Sequence, residues 1–145
     1  MSRTTNDSNN YLKLKYNGTS WSGIADNAAS SPVTTFYLSL HTASPGITGD
    51  QTTSEITYPG YARVAVTRNG AGWTVTGNQV SNAALAQFPQ CTTTGSTFSA
   101  THVGIGSSPT GAGVLYEFGG LNSPRTISDG VQPQFNIGAL TITHT

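Results

Sequence analysis

The stretch from Thr35 to Trp73, TTFYLSLHTASPGITGDQTTSEITYPGYARVAVTRNGAGW, alternates apolar and polar residues with a period of two. Phe36, Leu38 and Leu40 share one parity and Tyr37, Ser39 and His41 the other, so three large apolar side chains project from one face of a strand. The pattern returns in Tyr61–Arg68, where Ala62, Val64 and Val66 oppose Arg63, Ala65 and Thr67. Between the two runs lies a polar loop built on Ser44-Pro45-Gly46 and Gly49-Asp50. Asn69-Gly70 stops the second run, and Trp73-Thr74-Val75 resumes it. A sequence with this period does not settle as a helix. The two strands and their long acidic loop form a centre that the other strands complete.

The remaining chain supplies those strands. Gly77-Asn78 marks a hairpin turn after Trp73–Thr76, followed by a short return at Gln79–Ser81. Phe98–Gly106 alternates, with Phe98, Ala100 and His102 on one parity and Thr101, Val103 and Ile105 on the other. Val114–Phe118 reads as a strand ended by Gly119-Gly120, and Arg125–Ile127 as a further short one. Gln132–Ile137 carries a proline, which suits an edge, and Leu140–His144 alternates strictly and is expected to pair centrally. No convincing helix emerges. Tyr11–Tyr16 admits a short strand or one amphipathic helical turn, with the strand favoured, and Asn17-Gly18 is a turn dipeptide. The fold class expected is all-β: a single-domain antiparallel β-sandwich, jelly-roll-like, of about eight short strands. Residues 1–16 are expected as a flexible N-terminal arm that orders only in an assembly, and 17–145 as the sandwich domain.

Charge narrows the function classes. Formal net charge is zero and only 8% of residues are charged, against about 25% in ordinary soluble domains. Ser and Thr make up over a quarter of the chain. Six Lys and Arg spread from Arg3 to Arg125 leave no basic patch for nucleic acid, so no nucleic-acid partner is expected. Weak colloidal repulsion suits a chain that works inside an assembly. MSRTTNDSNN has no apolar core of a secretory signal, and no apolar run approaches membrane-spanning length, so no membrane partner is expected and synthesis in a cytoplasm is. The single cysteine, Cys91, excludes an internal disulfide and reads as a packed small side chain.

Catalytic chemistry finds no pattern to rest on. His41, His102 and His144 all lie in expected strands, and no nucleophile elbow of the G-x-S-x-G type exists. A three-histidine metal site would need all three strands to be neighbours on one face. Asp50 and Glu55 stand in the long loop without a third ligand at calcium-loop spacing. Glu117 is the one acid in an expected strand, where Arg63 or Arg125 would pair with it at the surface. The run Gly104–Gly113 lacks both dinucleotide spacing and a phosphate-loop lysine, and reads as a wide turn. Trp21, Tyr58, Tyr61 and Trp73 are expected as core or interface packing before a sugar-stacking platform. The expectation is a non-enzyme with no catalytic residue, no cofactor and no metal.

Several segments carry a resemblance in the same order: ADNAASSP, FYLSLHTASPG, GDQTTSEITYPGYARVAV, GWTV, Ser81–Cys91, ATHVGIG at Ala100–Gly106, Gly111–Leu115 and the closing SDGVQPQFNIGALTIT. From about Trp21 onward the chain resembles a family of small structural proteins of tailed phages and prophages, often labelled tail-fibre-like and similar to the decoration (cement) proteins of phage heads. The resemblance implies a virion structural protein. Its first form is a capsid decoration protein on the capsid exterior, a dimer or trimer that binds the major capsid protein and stabilises the shell. The alternative is a tail-fibre or adsorption module that binds host surface glycans.

Overall fold

The structure is a computed structural model that describes residues 3–29 and 31–144; the first two positions of the expected arm, Met1 and Ser2, lie outside them. Its elements in chain order are α1 (Thr5–Asn17), β1 (Thr35–His41), β2 (Val64–Thr67), β3 (Trp73–Thr76), β4 (Gln79–Asn82), β5 (Ala86–Gln87), β6 (Phe98–Gly106), β7 (Leu115–Ile127), β8 (Gln134–Phe135) and β9 (Thr141–Thr143). The strands form sheets ordered β2-β1-β6-β7, β3-β4-β9 and β5-β8. The fold class is all-β with antiparallel sheets, as expected, and it carries one helix. By backbone contacts the chain gathers into two compact units, Met1–Thr35 with Thr67–Ala86 and Phe135–Thr145, and Phe36–Val66 with Gln87–Gln134.

In the first unit the residues expected as an N-terminal arm carry helix α1, so Tyr11–Tyr16 is helical, the second of the two readings open for it, and not the strand favoured. Two caps explain it. The Thr4 hydroxyl accepts a hydrogen bond from the Asp7 amide at 3.2 Å, and Arg3 pairs with Asp7 at 3.0 Å across one turn. At the other end Gly18 takes φ 66, and the amides of Gly18 and Thr19 bond the carbonyls of Leu14 and Lys13 at 3.2 and 3.1 Å. This is the paired closure that left-handed glycine permits. Arg68 adds to it, donating to the carbonyls of Leu14 (2.6 Å) and Lys15. A cation is thereby set at the negative end of the helix dipole. Ser8, Leu12 and Tyr16, one turn apart, form the buried stripe, and Trp73 packs edge-on to Tyr16 at 5.0 Å.

β3 and β4 form the expected hairpin, Thr76 opposite Gln79, turning on Gly77 at φ 59. Asn82, 1% exposed, ties β4 to the chain after Phe135: its amide nitrogen donates to the carbonyls of Ala84 and Asn136, and its side-chain oxygen accepts from the Leu140 amide. β9 pairs β4 alone and is an outer strand, not the central one expected. Leu140 is already buried before the strand begins, which leaves a single apolar residue, Ile142, within it.

In the second unit β1 is central. Leu38 stands opposite Ile105 and Leu40 opposite Val103 on β6. Phe36, Leu38 and Leu40 are 3%, 0% and 2% exposed, so the face assigned from the alternation holds. β6 buries Ala100 and then Val103 and Ile105, residues of opposite parity, because its register with β7 shifts between Ala100 and His102. Opposite Thr101, β7 takes up Leu121–Pro124. The expected break at Gly119-Gly120 is not there: both glycines occupy ladder positions, opposite Val103 and His102, and β7 runs on through Arg125.

Candidate functional site

The densest chemistry of the second unit lies on the side of β1 away from Leu38, where the loop after His41 returns to the strand. Thr42 and Ile56 join loop and strand through the bonds Thr42 N–H to Ser54 carbonyl and Ile56 N–H to Leu40 carbonyl, 2.8 and 2.9 Å. Ser54 reaches this bridge with φ 55, a left-handed conformation that serine seldom takes. Beneath it, Ser39 and His41 are fully buried. The Thr53 carbonyl lies 2.9 Å from His41 Nδ1, so that nitrogen carries the proton, and the Ser39 hydroxyl donates to Nε2 at 2.8 Å. Burial lowers the His41 pKa from its ordinary 6.5; Thr53 and Glu55 pull it back up, while Arg63 and His102 push it down.

Glycines make room for these polar groups. A Cβ on Gly104 would stand 2.7 Å from His41 Nε2 and 2.8 Å from Ser39 Oγ. A Cβ on Gly106 would overlap Gln51, at 2.1 Å from its Cδ. Gln51 is itself fully buried and bonds the backbone of Ser108 in both directions, at 2.9 and 3.3 Å. The Gly104–Gly113 run is the end of strand β6, as the alternation over Phe98–Gly106 predicts, and then the loop that leads to β7. Gly104 and Gly106 are where β6 admits side chains from the loop and from β1.

Glu55 and Arg63 complete the cluster. Arg63 Nε and Nη2 donate to the two Glu55 oxygens at 2.7 Å each, and Nη1 and Nη2 also reach the carbonyls of Ser108 and Gly111. Tyr61 donates to Glu55 at 2.9 Å and accepts from the Leu40 amide at 3.0 Å. The expected pairing of Arg63 with Glu117 at the surface is thus replaced by a bond to Glu55, with side chains 3% and 13% exposed. The Glu55 carboxylate holds Arg63 protonated by accepting its hydrogen bonds, and burial raises the Tyr61 pKa. The donors and acceptors of Glu55, Arg63, Tyr61 and Gln51 bond other groups of the protein, and these bonds fasten the loop to the sheet.

The other singled-out residues fall in different places. His41 and His102 are direct cross-strand partners, whereas His144 belongs to the first unit, its ring tilted against Tyr11 at 5.4 Å. Among the described residues no three His, Cys, Asp or Glu gather closely enough to hold a metal. Asp50 is half-buried and accepts from Thr52 at 2.8 Å (amide) and 2.6 Å (hydroxyl). Cys91 is buried, beside Tyr58, whose hydroxyl donates to the Pro89 carbonyl at 2.7 Å. Tyr58, Tyr61 and Trp73 are packing residues: Tyr61 stacks on Phe88 at 6.1 Å, Tyr58 meets Phe98 at 6.0 Å, and Trp73 is fully buried. Trp21 alone of the four aromatics lies on an exposed loop, a short hairpin closed by the bridge to Ala25. Ser39 and Gln51 were not singled out by sequence reasoning; a polar residue amid Leu38 and Leu40, facing a glycine across the pair, was the available signal.

The family model of the podophage GP4 fiber I protein gp80 matches residues 20–143. The chain belongs to that family. The matched range covers most of the chain and begins one residue before Trp21, where the resemblance in the sequence begins. Strands β1 to β9 fall within the gp80 match, while helix α1 precedes it. Membership makes the chain a phage virion structural protein. No curated protein matches it.

Proposed function

We propose that the chain is a subunit of a virion fibre. The observation that carries this reading is the match of residues 20–143 to a family described as a fibre protein. Of the two roles the sequence suggested, capsid decoration and tail fibre or adsorption module, that description supports the second. A building-block role also fits the physical character of the fold. Its densest polar cluster spends Glu55, Arg63 and Gln51 on holding one loop to the sheet, which favours a stiff module. The outer strand β7 and the residue before it present Val114, Tyr116 and Phe118 at 57%, 36% and 37% exposure, apolar area suited to burial against another copy or a neighbouring virion protein. A formal net charge of zero imposes little repulsion between close-packed copies.

Immunogold electron microscopy of purified virions, with antibody raised against the recombinant chain, tests the placement. Label confined to fibres is the expected result. Label spread evenly over the head, at many sites per particle, would overturn the fibre reading in favour of decoration of the major capsid protein shell.

A further inference from the structure

We propose that His41 is an acid-operated catch: protonating it releases the Thr53–Glu55 bridge from β1 while the rest of the four-stranded sheet stays paired. The neutral ring fits its surroundings with both nitrogens satisfied, Nδ1–H on the Thr53 carbonyl and Nε2 accepting from Ser39. A second ring proton turns Nε2 into a donor: the Ser39 hydroxyl must then rotate to accept from it, and its own proton loses the acceptor it had. The Gly104 backbone and the Leu115 side chain lie close to the Nε2 side of the ring.

The charges around His41 deepen the conflict. His102 faces it directly across the β1–β6 pair, and Arg63 adds a further positive charge. Glu55 is the one acid acting on the ring, and its two oxygens are already taken by Arg63 and Tyr61. A buried imidazolium without its own counter-charge must reach water. On one side lies β6, held to β1 over five consecutive register pairs from Tyr37 to His41. On the other lies a single isolated bridge, His41 to Glu55, with Ser54 in its disfavoured conformation. The bridge is the weaker wall, and it gives way. The pKa lowered by burial sets the release below the ordinary histidine range.

Native-state hydrogen exchange across pH, on the full chain, reads this directly. The amides of Thr42 and Ile56 mark the bridge, and those of the β1–β6 ladder mark the sheet. Once corrected for intrinsic exchange, bridge protection is expected to fall about tenfold per pH unit below the His41 pKa, the slope of one proton, with ladder protection unchanged. His41→Gln, which keeps a donor and an acceptor but does not titrate, is expected to abolish the slope. Should that variant fail to fold, His102→Asn removes the facing charge and is expected to move the onset to higher pH. Bridge protection independent of pH while His41 titrates by NMR, or bridge and ladder lost together, would overturn the proposal.

Discussion

Arg63 and Glu55 form a two-pronged pair, both contacts 2.7 Å, in a setting where the side chains are 3% and 13% exposed. Fork-to-fork geometry of this kind is the strong form of the charged hydrogen bond. Removing one member leaves the other buried without its partner. Arg63→Ala is therefore expected to destabilise the fold by about 3–5 kcal/mol, measured by urea denaturation. Replacing both residues together with apolar ones is expected to lose less than the two single changes summed.

Gly104 is expected to tolerate no side chain. Its Cβ would press on His41, Leu115 and Ser39 at 2.7–2.8 Å, and hydrogen bonds hold His41 and Ser39 in place. Gly104→Ala should lower stability by about 1–3 kcal/mol, the usual range for overpacking. Gly119 on the neighbouring strand is the control: nothing lies within 4 Å of its Cβ position. Gly119→Ala should fall within about 0.5 kcal/mol of the parent by the same thermal melt.

Leu38 is fully buried on β1 and stands opposite Ile105. Leu38→Ala is expected to cost about 2–5 kcal/mol. An unchanged melting temperature would contradict the assigned face.

Helix α1 depends on its ends. Thr4→Ala removes the side chain that accepts the Asp7 amide and should cost about 1 kcal/mol. Gly18→Ala places a Cβ at φ 66, about 1–2 kcal/mol of backbone strain, and 3.1 Å from the Asn27 side chain. Circular dichroism of either variant should show a lower melting temperature.

This helix also shows where sequence reading runs out. Leu12 and Tyr16 share a face at period two and again at period 3.6, so the short run could not decide between strand and helix. Of the deciding residues, Asn17-Gly18 reads as a turn, while Thr4 with Asp7, a capping pattern, was passed over within the expected flexible arm. β1 was legible because three large residues repeat against a polar parity. Its polar parity was not: Ser39 and His41 are buried only because Gly104 and the 50s loop come from far along the chain. The Arg63–Glu55 pair was hidden for the same reason, since the loop geometry that joins them is tertiary. β7 was cut short because two glycines read as a stop, whereas paired glycines cost a strand little when β6 supplies their ladder partners.

Stability should fall at both ends of the pH scale. His41 has a folded pKa below 6.5, so the unfolded chain binds the proton first, and stability declines as pH falls below that value. Asp50, lowered below 3.8 by the hydrogen bond from the Thr52 hydroxyl, adds a smaller loss at more acid pH. In alkali Tyr58 works the other way: burial raises it from 10.0 to about 12, so the unfolded chain ionises first and stability is lost as pH rises through that window. Melting temperature followed across pH should peak between these limits. A curve still rising as pH falls below 6 would contradict the His41 direction.

Placement on the virion is tested most directly by adding the purified protein back to particles that lack it. Restored fibre density by cryo-electron microscopy, together with restored adsorption to host cells, is the result expected of a fibre subunit. Saturable binding over the whole head, at a fixed copy number per shell and with no change in adsorption, would contradict it.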